Sequence, residues 1–271
     1  MKKIYNYVLL KLSSFKILVI LGSLLFYHFL MYLFLIGESN YHNIYDLFNN
    51  QFSYFSLFIV YSLGYLLIIY NVNQKDNFYK YYYLRFNNKL EVFNTTVCSL
   101  AIISLLFILF IDIFTIGEGI FTMPLTNYYS EYFYRTMTGT INVFYETDNV
   151  NILTNMISPI TYILLLNILS FLYFFLQGLL YIVIDSFINK EGLSLIIVIA
   201  INALNRFIDA FGGIISRLSF TNNIYFITSQ IDDISNYSFI FFRIIYWIIL
   251  LLPLYIIGRR QAIKGDYKFI N

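Results

Sequence analysis

A 271-residue chain that is 59% hydrophobic and only 12% charged excludes an ordinary soluble domain, in which the corresponding shares run at roughly 45–50% and 25%. The formal net charge of +2 excludes little, and no polar block stands apart that could fold as a separate soluble unit, so the reading is one membrane domain over residues 1–271. One cysteine excludes an internal disulfide framework or cysteine-based metal site; Cys98, at the start of an apolar run, is expected as a buried structural thiol.

Taken in order, the chain begins with MKKIYNYVLLKLSSFK, where Ile4, Tyr7, Val8 and Lys11 recur at helical spacing. The expectation is an interfacial helix over residues 1–15; the alternative is the basic start of the first span. The apolar run that follows is too long for a signal peptide and has no A-x-A-like cleavage site after it, so it reads as a retained span. Six spans are expected: Lys16–Ile36, Tyr54–Val72, Val97–Gly117, Pro159–Ile188, Leu193–Gly212 and Phe239–Gly258. They must be helices, since uninterrupted apolar runs leave no alternating lumen face for a barrel. Ser158 and Pro159 suit a helix cap and first turn, and Gly258 suits a helix end.

Lys and Arg set the orientation. Thirteen of the seventeen basic residues fall in the N-terminal segment, the second connection, the fourth connection and the tail. The positive-inside bias places these segments, and both termini, in the cytoplasm of a multi-pass plasma membrane protein. Richness in Ile, Asn, Tyr and Phe fits an AT-rich genome and points to a bacterium. The outer connections are then Gly37–Ser53, 118–158 and 213–238. The second of these is long enough for an external substructure or a cap, and its NYYSEYFYRTM segment could be helical.

Enzymatic apparatus is absent. The sequence has no G-x-x-x-x-G-K-[ST] phosphate loop, H-E-x-x-H, G-x-S-x-G or Cys/His cluster. No catalytic residue, metal site or cofactor is therefore assigned to this chain, and nothing points to nucleic acid. His28, inside the first span, and His42, in an outer connection, would need further ligands to hold a metal. The candidate intramembrane charges are Asp112 in the third span and Arg206 and Asp209 in the fifth, with Arg243 near the outer start of the sixth. A structural pair, Asp112 with Arg206 or Arg206 with Asp209 at i, i+3, is the leading reading; substrate contact or a proton relay are the alternatives.

The polar island Asn71–Thr96 separates spans two and three. Within it Phe78, Tyr81, Tyr82, Arg85, Phe86 and Lys89 fall on or near one helical face, and Tyr and Arg are favoured as interface anchors. An inner-leaflet helix with its cations on anionic lipid is the competing reading.

The basic N-terminal segment KKIYNYVLLKLSSFK, the YYYLRFNNKLEVF stretch after span two, a polar connection between spans five and six and a last span ending GRRQAIKGDY together make the chain resemble the permease subunits of type-2 ABC exporters. The resemblance rests on architecture over most of the chain. It implies an all-α fold of six transmembrane helices, an N-terminal interfacial helix, and a cytoplasmic coupling helix within Asn77–Phe93 that docks on a soluble ATPase, with Arg85 prominent. It further implies two ATPase subunits carrying ATP and Mg, and a second permease as a copy or paralogue. The basic tail, 259–271, resembles the bacteriocin and antimicrobial-peptide branch. The departure is that the longer outer insertion lies between spans three and four. The expected function is export of a hydrophobic or amphipathic peptide; the alternatives are a membrane anchor or sensor that recruits a soluble partner, and a proton-coupled carrier.

Overall fold

The computed structural model describes residues 12–38, 42–72, 86, 88–137, 147–188, 192–211, 213–225 and 238–264. Over these residues the chain is all-helical, without strands. In chain order the helices are α1 (Phe15–Glu38), α2 (Ile44–Gln51), a π-helical turn (Ser56–Tyr61) running into α3 (Ser62–Val72), α4 (Lys89–Gly119), α5 (Glu131–Met137), α6 (Thr147–Met156), α7 (Pro159–Phe187), α8 (Leu193–Ala210), the single turn α9 (Gly213–Ser216) and α10 (Ser238–Lys264).

Four of these, α1, α4, α7 and α10, are long and apolar enough to cross a membrane, and counting α2 with the helix after it as one bent span makes five. The expected sixth falls on α8, whose apolar stretch, Leu193–Asn205, is shorter. Within it Asn202 and Asn205 make hydrogen bonds to Tyr173 and to the Phe220 N–H. Exposed apolar side chains such as Phe26, Phe34, Leu105, Ile113, Leu164 and Ile249 clothe the bundle, as expected where the solvent is hydrocarbon.

In α7, 56% of the apolar stretch is buried, against 17% in α1 and α10. Helix α7 is therefore the central post, contacted by α3, α4, α8 and α10. Tyr173, Phe174, Leu166 and Leu169 on α7 are almost fully buried. Around them Phe58, Tyr65, Phe107 and Trp247 meet in edge-on and tilted ring pairs with centroids 4.9–6.1 Å apart, within the range where aromatic pairs attract. The helices alternate in direction. One end of the bundle, here the basic end, gathers Lys89, Arg259, Arg260 and Lys264; the other, the loop end, gathers α2, α5, α6 and the connection after α8.

Several local expectations change. Helix α4 starts eight residues before Val97, because Asn88 is extended and its side chain accepts the Glu91 N–H at 2.7 Å, a strong N-cap. At 31 residues α4 is about 46 Å long. Helix α10 runs through Gly258 to Lys264 rather than ending there, since the glycine is needed for close approach within the helix. Pro159 opens α7 as expected, with extended Ser158 before it, although the Ser158 hydroxyl bonds Thr161 rather than a backbone N–H. Cys98 is exposed, not buried: α4 turns Val92, Phe93, Thr95, Ser99 and Leu100 inward, and position 98 falls on the opposite face.

The connections hold more structure than their composition promised. The 38–53 connection contains α2, fixed by a reciprocal capping box in which the Asn43 side chain accepts from Tyr45 and Asp46 and the Asp46 carboxylate accepts the Asn43 N–H at 2.7 Å. Eight residues cannot cross a bilayer, and α2 turns by 51° from the helix after it. In the 118–158 connection, helix α5 forms within the tyrosine-rich segment, burying Phe133 and Met137. Helix α6 accompanies it with Val150 and Leu153 fully buried. The interfacial segment 1–11, most of the island (73–85), residues 226–237 and the end of the tail, 265–271, lie outside the described residues.

Candidate functional site: polar layers in the bundle and a clamped stem

Polar side chains in an apolar bundle must find partners, and here they collect into layers. The first lies at mid-height. The π-helical turn Ser56–Tyr61 widens the helix by one residue, a distortion that frees backbone groups from the regular ladder. The Phe58 carbonyl in that turn accepts from Asn202 Nδ2 on α8 at 2.8 Å. Asn202 Oδ1 accepts from the Tyr173 hydroxyl on α7 at 2.7 Å. The Ser62 hydroxyl lies 3.2 Å from Asn202 Nδ2 and accepts from Gln177 Nε2 at 2.8 Å. Helices α3, α7 and α8 are thus joined by five side-chain and backbone groups, with Tyr65 and Ser104 adding a 2.7 Å bond from α3 to α4.

After α8 the chain folds back into the bundle instead of remaining at its rim. Residues 217–225 lie along the first turns of α10, where Trp247 Nε1 donates to the Asn223 carbonyl, Tyr246 to that of Leu218, and Arg243 to that of Tyr225. The Phe220 ring reaches Tyr173 and Trp247, and its N–H is taken by Asn205 Oδ1. Arg243, 3% exposed, stacks its guanidinium 4.1 Å over Phe239.

A second layer joins α1, α2 and α4 nearer the loop end. His28 Nδ1 lies 2.9 Å from Glu118 Oε2, and His28 Nε2 lies 3.1 Å from Thr115 Oγ1. Gln51 donates to the His28 carbonyl at 2.9 Å and accepts from the Tyr61 hydroxyl.

The third feature is at the basic end. The first turns of α4, Lys89–Thr96, form a stem beyond the apolar run. Phe93 of this stem lies over Gly258, so close that a Cβ there would come within 2.7 Å of the ring and 3.1 Å of Val183 on α7. Tyr255 meets Phe93 in a tilted ring pair with centroids 5.7 Å apart and donates to Asn94 at 3.0 Å. A small residue lets two membrane helices approach closely, and here it seats an aromatic ring between three.

Of the residues singled out from sequence, Phe78, Tyr81, Tyr82 and Arg85 lie outside the described residues. Phe86 precedes the extended cap Asn88, and Lys89 is the first residue of α4, so Phe86 and Lys89 do not share an unbroken helix. Asp112 accepts from Asn167 of α7 at 2.9 Å; the side chains of Arg206 and Asp209 lie outside the described residues. Among the described residues no cluster of three or more His, Cys, Asp or Glu is arranged to hold a metal. Sequence reasoning missed the His28–Glu118 contact and the Asn202–Tyr173 layer. Their available signal was modest: polar residues inside otherwise apolar runs, with Thr115 and Glu118 at i, i+3 on one face.

No family model and no solved structure matches this chain. An uncharacterized protein of Halalkalibacterium halodurans is 25% identical over 230 residues, which cover 83% of this chain and 80% of that protein.

Proposed function

We propose that the chain is the permease subunit of an ATP-driven exporter in a bacterial plasma membrane, with six spans, both termini in the cytoplasm and residues 71–96 as the contact to a soluble ATPase. The observation that carries this reading is the clamped stem. A docking segment works as a lever only if its motion reaches the spans. The stem Lys89–Thr96 is continuous with α4, and Phe93 and Tyr255 fasten it to α7 and α10 at Gly258. A push on residues 73–87 would therefore move three long helices together. Basic residues Lys89, Arg259, Arg260 and Lys264 share that end, in keeping with the positive-inside bias.

In this reading two permeases and two ATPase subunits assemble, ATP and Mg reside on the ATPases, and an amphipathic peptide leaves through the permease dimer. Helix α8, with the chain 213–225 folded back beside it, serves as the fifth span, short because the returning segment fills the space beside its end. The test is co-purification from detergent with a Walker-type ATPase of the same cells, followed by ATP hydrolysis. Arg85→Glu combined with Tyr81→Ala and Tyr82→Ala is expected to lower the amount of retained ATPase at least tenfold while leaving the permease folded. Retention unchanged in that variant removes island docking. A protein that never retains an ATPase but does retain another soluble partner favours the anchor or sensor reading.

A further inference from the structure

Asp112 sits about 10 Å from the loop end of α4, on the seam between α4 and α7. The side chains flanking that seam are hydrocarbon: Leu109, Ile113 and Ile116 on α4 and Leu164 and Ile168 on α7 are exposed, so the medium beside it is lipid rather than water. Asp112 Oδ2 accepts from Asn167 Nδ2 at 2.9 Å. Asp112 Oδ1 and Asn167 Oδ1 are both buried and have no hydrogen-bond partner. Among the described residues no ion pair includes Asp112. An ionised carboxylate offers only acceptors. In that form both oxygens stay orphaned, and a charge is left in hydrocarbon without a cation to offset it.

We propose that Asp112 is a proton-binding site, in which the protonated carboxyl and the Asn167 amide pair as acid with amide across the α4–α7 seam. A protonated carboxyl carries one O–H donor beside its remaining acceptor oxygen, and an amide carries N–H donors beside its carbonyl, so each group can then serve the other. The proton removes the charge and supplies the donor that the Asn167 carbonyl lacks. Its loss leaves a carboxylate held by a single amide N–H, so occupancy sets how firmly α4 is fastened to α7. The ionisable groups that neighbouring elements bring to this part of the bundle are engaged elsewhere. His28 of α1 lies against Thr115 and against Glu118, which is two turns further along α4; Asp46 of α2 accepts the Asn43 N–H and lines a small cavity with Tyr162 of α7. Tyr65 of α3 bonds Ser104, and Arg243 of α10 donates to the Tyr225 carbonyl. This inference stands whether or not residues 71–96 dock on an ATPase.

The test is infrared difference spectroscopy of the full-length protein in lipid nanodiscs at pH 6, with carbon-13 in the aspartate side chains. A free aspartate side chain of pKa about 3.9 holds its proton in about one molecule in a hundred at that pH, and Asp112 is expected to hold it in at least half, about a fifty-fold rise. The sign is a protonated carbonyl band that Asp112→Asn abolishes. Asn167→Leu should move that band to higher frequency, since a carboxyl without a hydrogen-bond partner has a stiffer carbonyl. Carboxylate bands alone at pH 6, whether Asp112 is solitary or paired with Arg206, overturn the proposal, and a band that Asn167→Leu leaves in place overturns the pairing. Asn at position 112 is close in shape to the neutral acid; should Asp112→Asn still fail to fold, carbon-13 NMR of the same label reads the protonated fraction in the unmutated protein.

Discussion

The two ends of the bundle are fastened in opposite ways. Toward the loop end, helices are joined by polar groups in defined pairs, His28 to Glu118 and Gln51 to Tyr61; at the basic end an aromatic ring sits in the gap a glycine leaves. Polar pairs are directional, sensitive to protonation and individually modest within a membrane. A ring against glycine is insensitive to pH and resists compression, because close-packed atoms have nowhere to move. The first arrangement suits a region that changes state, and the second a region that passes a push along unchanged.

The comparison can be broken most severely at the shared centre. Trp247 is fully buried and touches Tyr173, Phe220 and Tyr246 by its ring and the Asn223 carbonyl by its N–H. Trp247→Ala is expected to cost about 3–5 kcal/mol, read as loss of folded protein in denaturant titration in mixed micelles; a shift below about 1 kcal/mol would mean that the 217–225 segment does not seat there. Next comes the clamp. Gly258→Ala should cost about 1–3 kcal/mol by overpacking, with Phe93→Leu in the same chain recovering most of it in a double-mutant cycle. Simple additivity of the two changes would contradict the ring-on-glycine contact.

At the polar layer, Asn202→Ala removes the partner of both the Tyr173 hydroxyl and the Phe58 carbonyl and should cost about 1–2 kcal/mol, the upper part of what hydrogen bonds contribute within membranes. Asn202→Ala and Tyr173→Phe should be non-additive, since each removes the same bond. The smallest expected effect is at the stem. Asn88→Ala should cost about 1 kcal/mol and Asn88→Gly only a few tenths, with amide exchange accelerated at Glu91 and its neighbours but not in the body of α4. Uniform acceleration along α4 would show that the stem has no independent end.

Much of the helical plan was legible in order along the chain. Long apolar runs gave α1, α4, α7 and α10, because hydrocarbon satisfies no backbone group and forces helix wherever such a run crosses. Pro159 marked the start of α7. The misreadings share one cause: a residue's type was taken for its role. Gly258 reads as a terminator and serves as a seat for Phe93; Cys98 reads as core and faces outward; the Asn- and Tyr-rich stretch before Ser53 reads as loop and forms α2 through its capping box.

The sequence alone determined that this is an all-helical, multi-pass membrane protein with a charge-rich interruption after Val72, because hydropathy and charge act one residue at a time and need no knowledge of neighbours. Only the tertiary structure decided which polar residues meet. His28 and Glu118 are ninety positions apart, and Phe58 and Asn202 lie on helices joined through the whole of α4 and α7. Helical periodicity places a side chain on a face of its own helix. Which face meets which is set by close packing around α7, and pairwise contacts of that kind leave no periodic trace in one chain.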